Sequence, residues 1–384
     1  MLDSQLISET VSFIRELYGT ERPIPLHEPR FPGREREYVD DAIASTFVSS
    51  VGAYVDRFER EFASYTGSAR AVAVVNGTSG LQVALQLLGV RPNDEVLTQA
   101  LTFVATPNAI RYAGAWPVFL DVDMDTMGLS PTAVRDFMAQ HAEKRGHEVF
   151  NRLTNRRISA IMPMHTFGFP ADLHGLMAIS TEWGIPMVED AAEGLGSYFH
   201  GRHVGTIGKI GVFSFNGNKI ITTGGGGMLV FNDLDLATKA KHLTTTAKQP
   251  HPYEFFHDQL GFNFRMPNLN AALGCAQLES LDKFLLSKKE LSAKYAQYFT
   301  EKGIKFRTSV THTMANNWLH AIELSNRSER DQFLREMNAQ GIGCRPIWQL
   351  MFRLPMYSDC LRDHQTNASW LEDRIVNLPS SPII

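Results

Sequence analysis

Residues 211–230 read GVFSFNGNKIITTGGGGMLV, and this stretch indicates more about the fold and chemistry of the chain than any other. An apolar, strand-like segment at 212–215 leads to a single lysine, Lys219, and four consecutive glycines follow at 224–227. This order predicts that Lys219 lies at the edge of a buried sheet, where glycine backbone can approach a ligand closely. Taken alone, a lysine is more often a solvated surface residue, and a glycine run is more often a flexible turn.

Strand-like runs alternate with helical patterns from about residue 71 to residue 230. The runs are AVAVVN, EVLTQ, PVFLDV, ISAIMP, PMVED, GVFSF and MLVF, and helical segments such as LQVALQLLGV and PTAVRDFMAQHA lie between several of them. Short β-branched runs separated by amphipathic helices predict an α/β fold with a mostly parallel, doubly wound sheet. In such sheets ligands bind beyond the carboxyl ends of the strands.

The same patterns predict three parts of the chain: an N-terminal helical segment at 1–25, a large domain at 26–265 and a smaller C-terminal α/β domain at 266–384. The segment 269–299 is long and has a helical period, and it is predicted to lead into the small domain. The polar, basic segment 141–157 lacks an apolar period and is predicted to be an exposed excursion, with a contribution to phosphate binding left open.

Composition excludes several classes of function. The chain has 384 residues, of which 43% are hydrophobic and 20% charged, which is typical of a soluble globular protein. A net charge of −4 gives no reason to expect nucleic acid or a membrane as partner. No apolar run approaches the ~20 residues that span a bilayer, and the acidic N-terminus predicts an amphipathic helix rather than a signal peptide.

Cysteine and histidine content gives no indication of a metal site. Three scattered cysteines are too few for a disulfide framework or a zinc site, so a reducing cytoplasm is expected. His200 and His203 in HGRH have no carboxylate or cysteine at a useful spacing. We therefore expect a loop with two polar rings and no metal.

Asp190 is the predicted chemical partner of Lys219. It ends the strand-like run PMVED, which places its carboxylate at the same edge of the sheet. An amine in apolar surroundings loses its proton more easily and can form a Schiff base with an aldehyde or ketone. Pyridoxal 5′-phosphate (PLP) is such an aldehyde, and it needs a carboxylate to keep its ring nitrogen protonated. The pair predicts PLP as the cofactor if other segments supply a phosphate site and a stacking ring.

Three further segments supply candidates for those contacts. Gly77, Thr78 and Ser79 lie between a strand and a helix, where free amides and hydroxyls bind anions, although an ordinary helix N-cap has the same residues. Ser214 adds a hydroxyl near the same phosphate. Phe103 and His165 each follow a strand; the first could stack on a flat ring or belong to the core, and the second could line the site or be structural.

The ordered motifs NGT, TFVATPNAI, VFLDVD, MHTFGFPADL, VEDAAE, SFNGNK, GGGGM and GFNFRMPNLNAALG together resemble the DegT/DnrJ/EryC1/StrS sugar aminotransferases, which are fold-type I PLP enzymes. The resemblance extends from about residue 26 to residue 382. Segments such as LHEPRFPGRE, HLTTTAK, RPIWQLMFRLPM and NLPSSP are similar to its LegC branch. One departure is Gly80, where relatives more often have alanine.

This resemblance implies a role for each candidate residue. Lys219 would be the Schiff-base lysine, Asp190 would pair with the pyridine nitrogen, and Glu193 would lie near the ring hydroxyl. The remaining implied cofactor contacts are Gly77, Thr78, Ser79 and Ser214 on the phosphate, Phe103 on the ring, and Asn263 from the second subunit of a homodimer. Arg265 would support that loop or bind a substrate carboxylate, and the candidates on the substrate side are His165, His320, Arg345 and Trp348.

The implied reaction moves the amino group of L-glutamate to C4 of a nucleotide-linked 4-keto-6-deoxy-N-acetylhexosamine, for legionaminic acid or bacillosamine-type sugars. The sequence leaves UDP or GDP open, as well as the stereochemistry at C4. Alternatives are another keto-sugar, such as a GDP-linked perosamine precursor or a 3-keto sugar, and a regulator that uses this fold to bind a small molecule. A nucleotide-dependent dehydrogenase would share the strand–helix alternation, but no G-x-G-x-x-G follows an early strand.

Overall fold

The computed structural model describes residues 3–384. Its helices α1 to α12 are, in chain order, Ser4–Tyr18, Glu35–Ala44, Ala53–Thr66, Gly77–Leu87, Ala105–Tyr112, Pro131–His141, Leu173–Trp183, Leu234–Thr244, Asn268–Glu279, Leu281–Glu301, Arg327–Ala339 and Thr366–Glu372. Its strands β1 to β16 are Arg70–Val74, Glu95–Gln99, Trp116–Leu120, Ala142–Arg145, Glu148–Asn151, Ile158–Met162, Val188–Asp190, Tyr198–Phe199, Arg202–His203, Ile210–Ser214, Gly227–Phe231, Lys305–Phe306, Thr313–Met314, His320–Glu323, Arg345–Pro346 and Ile375–Leu378.

The large domain is built on a sheet with the strand order β3-β2-β6-β7-β10-β11-β1. Strand β2 pairs in parallel with β3 and β6, and β7 pairs in parallel with β10. Parallel bridges Ile161–Met187 and Met164–Asp190 join β6 to β7. Strand β11 runs antiparallel to both of its neighbours. The predicted mostly parallel sheet is confirmed, and every strand-like run named above is a strand of it.

Both faces of this sheet are covered, as the side-chain alternation of β1 illustrates. Val72 and Val74 belong to a core shared with α4, α5 and α8, whereas Ala71 and Ala73 belong to a core shared with α3 and α9. Successive strand residues point to opposite faces, so an apolar residue at every position requires helices on both sides. The doubly wound architecture follows from this pattern.

The small domain has an antiparallel sheet with the order β12-β14-β16-β15. Helix α1 buries Ile7, Val11 and Ile14 in the same core as residues of α10 and α11. The amphipathic N-terminal helix predicted from the sequence is therefore present. Its apolar face packs against α10 and α11.

The helical period predicted at 269–299 is confirmed, and a break at Ser280 divides the segment into α9 and α10. Helix α9 packs closely on α3: a Cβ atom at Gly274 would lie 2.8 Å from the Phe58 ring, and Cys275 lies in the same core. Helix α9 thus packs against a helix of the large domain, and α10 leads to the small domain.

The polar excursion at 141–157 forms the hairpin of β4 and β5. It lies at the amino ends of the sheet strands, where Arg157 pairs with Asp94 at 2.5 Å and Asn151 Nδ2 donates to Glu95 Oε2 at 2.8 Å. The ligand edge of a parallel sheet is the opposite one. The open possibility that this segment binds phosphate is therefore not supported.

The HGRH segment forms the turn that follows β8 and the whole of β9, Arg202–His203. His203 is buried, its Nε2 accepts from the Gly196 N–H at 2.8 Å, and burial lowers its pKa to about 4. Across residues 3–384, no group of three or more His, Cys, Asp or Glu side chains is arranged to hold a metal ion. Over the same residues, no helix has the length and apolar character needed to cross a membrane.

Candidate active site

The carboxyl ends of β1, β7 and β10 bring the predicted cofactor residues to one edge of the sheet. Asp190 is the last residue of β7, and Ser214 is the last residue of β10. Helix α4 begins at Gly77, a few residues after β1 ends. Since parallel strands end on the same side, residues far apart in the chain meet there.

The start of α4 has the properties of an anion site. Asn76 Oδ1 caps the helix by accepting from the Ser79 N–H at 2.8 Å, and Thr78 and Ser79 are half-buried. A Cβ atom at Gly77 would lie 3.0 Å from Cβ of Ser214, so the absence of a side chain lets β10 approach the helix end. The predicted cluster of Gly77, Thr78, Ser79 and Ser214 is therefore assembled where the helix dipole favours negative charge.

The glycine run serves this packing. A Cβ atom at Gly227 would lie 2.7 Å from the backbone N of Gly77, which is too close for any side chain. Gly224 has φ +79°, a conformation that favours glycine. Gly80 is similarly constrained, because a Cβ atom there would lie 2.7 Å from Val212 Cγ1. Glycine at position 80, where relatives more often have alanine, thus allows close contact between α4 and β10.

Asp190 is a buried carboxylate with fixed orientation. Its Oδ2 accepts from the Thr106 hydroxyl at 2.7 Å, and its Oδ1 accepts from the Ala192 N–H at 3.2 Å. Burial raises the pKa of Asp190, and the hydrogen bonds and the positive charge of Lys219 act against that rise. A further cation beside the carboxylate would favour its charged form in the same way.

Lys219 lies in a largely enclosed position opposite Glu193. Its Nζ donates to Glu193 Oε1 at 3.1 Å and lies 3.9 Å from the centroid of the Trp318 ring, and the side chain is 11% exposed. Glu193 Oε2 accepts from the Phe167 N–H at 2.8 Å. Burial raises the pKa of Glu193, and the charge of Lys219 opposes this. An amine and two carboxylates, Asp190 and Glu193, therefore share one buried site.

Aromatic rings border the same region. The Phe103 side chain is 51% exposed, so its ring is free to cover a flat ligand. Its centroid lies 6.4 Å from that of Trp348, which in turn lies 4.9 Å from that of Phe167. Of the predicted substrate-side residues, Trp348 is thus brought next to the predicted stacking residue.

Both predicted substrate-side histidines are structural. His165 is fully buried: Nδ1 accepts from the Ala171 N–H at 3.2 Å and Nε2 lies 3.1 Å from Glu189 Oε2. His320 is 1% exposed, and burial lowers its pKa to about 3. Neither ring has a surface to offer a substrate, so the structural alternative holds for His165 and the substrate-side prediction for His320 is corrected.

The arginine candidates have partners within the chain. Arg345 is exposed, and its Nη1 donates to Asn338 Oδ1 of α11 at 3.1 Å. Arg265 donates from Nε and Nη2 to Asn263 Oδ1 at 3.2 and 3.1 Å, so it orients the exposed Asn263 side chain. These contacts agree with the loop-supporting alternative for Arg265 and leave Arg345 without a contact to the site.

Sequence reasoning missed four residues that shape the site: Thr106, Phe167, Trp318 and Glu189. Thr106 and Phe167 lie within the motifs TFVATPNAI and MHTFGFPADL, so the sequence contained a signal for both. Glu189 adjoins Asp190 but points into the interior, where it accepts from the backbone N–H groups of Gly205, Ile207 and Gly208.

Glu189→Gln is expected to lower the free energy of unfolding by about 2–4 kcal/mol at neutral pH, because a buried, multiply bonded carboxylate is replaced by an amide. Burial alone would raise the pKa of Glu189, but His165 and the backbone N–H groups outweigh it and lower the pKa. The stabilisation is therefore complete above the ordinary value of 4.5 and is lost as pH falls below it through the folded-state pKa. Denaturant unfolding at neutral and acidic pH measures both effects.

Glu182→Gln is the matched control, since Glu182 pairs with Arg135 on the exposed surface. Its expected cost is below about 0.5 kcal/mol. Equal losses in the two variants would contradict the role given to the buried carboxylate.

Comparison with known proteins agrees with this geometry. Residues 31–384 match the DegT/DnrJ/EryC1/StrS aminotransferase family. The chain belongs to this family. It is 36% identical to GDP-perosamine synthase of Escherichia coli O157:H7 over 94% of the chain and 93% of that protein. It is 34% identical to GDP-perosamine synthase of Caulobacter vibrioides, with 93% of both covered.

Solved structures of related aminotransferases have the same fold. The aminotransferase TlmJ from Streptoalloteichus hindustanus superposes with a TM-score of 0.84 at 28% identity, covering 93% of each chain. DesI with its TDP-sugar product gives a TM-score of 0.82 at 26% identity, covering 96% of this chain and 91% of that one. The chain is thus a fold-type I, PLP-dependent sugar aminotransferase, and the dehydrogenase alternative does not describe it.

The residues of this aminotransferase fit PLP. The start of α4 with Ser214 offers donors for a phosphate, and the exposed Phe103 ring offers a flat face. The buried Asp190 carboxylate suits a protonated ring nitrogen, and the Lys219 amine suits an aldehyde. The LegC-like branch remains a prediction, because the curated relatives named above are GDP-perosamine synthases.

Proposed function

We propose that this aminotransferase transfers the amino group of L-glutamate to C4 of a nucleotide-linked 4-keto-6-deoxy-N-acetylhexosamine. The observation that carries the amino transfer is the enclosed Lys219 amine, 3.1 Å from Glu193 and close to the buried Asp190 carboxylate. The choice of sugar rests on the resemblance of the N- and C-terminal motifs to the LegC branch.

PLP, when bound, supplies an aldehyde that accepts the amino group and a ring that withdraws electrons from the reacting carbon. Asp190 holds the proton on the ring nitrogen, because an ionised carboxylate in a buried site favours a protonated partner. Thr106 and the Ala192 N–H fix the direction of that carboxylate. The start of α4, together with Ser214, holds the phosphate.

Lys219 moves the protons of the reaction. In its neutral form Nζ takes the proton from Cα of glutamate, and in the second half of the cycle it delivers a proton to C4 of the sugar. Glu193 and Trp318 keep Nζ near this position between the two steps. Related sugar 3-dehydratases have histidine in place of this lysine, so transamination is favoured over dehydration.

The active unit in this proposal is a cytoplasmic homodimer with shared sites. Asn263 is exposed and oriented by Arg265, as expected of a residue that reaches a neighbouring subunit's phosphate site. The segment just before it exposes a group of large apolar side chains, Tyr253, Phe255, Phe256 and Leu260. Such a group is typical of surfaces that another chain covers.

A GDP-linked precursor of perosamine is the second candidate substrate. The relatives named GDP-perosamine synthase, at 34–36% identity over nearly the whole chain, favour it. In both cases the amino group is placed on a nucleotide-linked sugar. Trp348, beside Phe103, is the residue we assign to the substrate side of the site.

Two half-reactions distinguish these substrates. L-Glutamate is expected to bleach the visible absorbance of the PLP-loaded protein, and the correct keto-sugar is expected to restore it. The sugars compared are UDP- and GDP-linked 4-keto-6-deoxy-N-acetylglucosamine and the GDP-linked keto-sugar without the N-acetyl group. Restoration by an N-acetylated sugar alone supports the first candidate, and restoration by the last alone supports the second. Bleaching that no sugar reverses would contradict both substrate assignments.

A further inference from the structure

The indole of Trp318 lies directly against the reactive amine. The Lys219 Nζ is 3.9 Å from its ring centroid, while the same nitrogen donates to Glu193 at 3.1 Å. Trp318 is 4% exposed, so little water separates the two groups. A cation over an indole face is attracted to the ring, and the attraction is stronger in a desolvated site.

Three hydrogen bonds fix the position of Trp318. Its Nε1 donates to the carbonyl of Asn218, the residue before Lys219, at 2.7 Å. Its backbone N–H donates to Asn316 Oδ1 at 2.8 Å, and its carbonyl accepts from the buried Lys288 Nζ at 3.1 Å. The backbone of Trp318 is therefore fixed by two hydrogen bonds, and its indole is fixed by a third to the residue next to Lys219.

The segment 316–318 also binds the loop that carries Glu193. Asn316 Nδ2 donates to the carbonyls of Glu193 and Leu195 at 2.7 and 2.8 Å. A Cβ atom at Gly168 would lie 1.9 Å from Asn316 Oδ1, so this amide fills a space that only glycine leaves. Residues 316–318, which lead into β14 of the small domain, therefore contact the Glu193 loop and include Trp318. Glu193 and Trp318 are the two groups that contact Lys219 Nζ.

We propose that Trp318 is a positioning residue for Lys219: the indole face and the Nε1 bond to Asn218 hold Nζ where it reacts with the cofactor aldehyde. This rests on the proposed roles of Lys219 and PLP. The step joins Nζ to the aldehyde carbon and releases one water, with no oxidant or reductant. A lysine side chain has four flexible torsions, so an amine without this contact spends less time in the reactive position.

The experiment compares two forms of the cofactor on protein from which PLP has been removed. Trp318→Leu is expected to slow the capture of PLP, followed by visible absorbance, by about tenfold. Pyridoxamine phosphate has no aldehyde and does not bond to Lys219, so its affinity, measured by calorimetry, is expected to stay within about twofold of wild type. No sugar substrate is used, so failure of the sugar assignment does not affect the result.

Trp318→Phe separates the two contacts, since it keeps an aromatic face and loses the Nε1 donor; we expect capture at a rate between those of wild type and Trp318→Leu. Trp370→Leu is the matched control. The Trp370 ring also contacts a cation, Arg374 at 4.4 Å, but it does not contact Lys219. Wild-type capture in Trp318→Leu, a parallel loss of pyridoxamine phosphate affinity, or equal slowing in Trp370→Leu would overturn the proposal. If the leucine variant fails to fold, the phenylalanine variant decides. Capture of PLP by Trp318→Phe at the wild-type rate, at every PLP concentration, would then overturn the proposal.

Discussion

Lys219→Ala is expected to lower the rate of amino transfer more than about a thousandfold, because it removes both the nucleophile and the proton carrier. The protein is expected to remain folded, since Glu193 keeps its bond from the Phe167 N–H. The measurement is the rate at which L-glutamate converts bound PLP, followed in a single turnover. Activity above a few per cent of wild type would contradict the assignment of Lys219.

Lys219→Arg is the variant that separates charge from chemistry. An arginine keeps a cation near Glu193 and Trp318, but its guanidinium stays protonated and is a poor nucleophile. It is expected to be as inactive as the alanine variant while preserving thermal stability better. Lys209→Ala is the matched control: Lys209 is half exposed, pairs with Asp233 on the surface and is expected to be dispensable.

The strands and the cofactor edge could be predicted because their signals are local. Each apolar run forms one strand, and the residue that follows a parallel strand lies at the ligand edge whatever the rest of the chain does. That reasoning placed Asp190, Lys219 and Ser214 at one edge. It did not show how Glu193 would be bonded, since Phe167 comes from a different loop.

Contacts between distant segments could not be predicted in this way. Trp318 donates to a carbonyl 100 positions earlier in the chain, and no short pattern records such a contact. His165 follows a strand just as Phe103 does, yet it turns inward to Glu189, while Phe103 stays exposed. One sequence does not show toward which face a single side chain points, so the burial of His165 and His320 could not be predicted.

Asp190→Asn is expected to keep PLP bound. Its rate of amino transfer is expected to be at least about a hundredfold lower than that of wild type. The amide is nearly the same size, and it can still accept from the Thr106 hydroxyl, so the fold and the phosphate site are expected to persist. A neutral amide does not hold a proton on the ring nitrogen, so the ring withdraws electrons less strongly. The measurement is single-turnover conversion of bound cofactor by L-glutamate, with cofactor content determined separately.

Thr106→Val tests whether the orientation of the carboxylate matters as well as its charge. It keeps the shape of the side chain but removes the donor 2.7 Å from Asp190 Oδ2, and a loss of about tenfold is expected because one of two orienting hydrogen bonds remains. Asp233→Asn, at the surface partner of Lys209, is the control and is expected to be neutral.

Near-normal turnover in Asp190→Asn would show that this carboxylate does not control the ring nitrogen. Loss of cofactor in the same variant would instead assign Asp190 to binding.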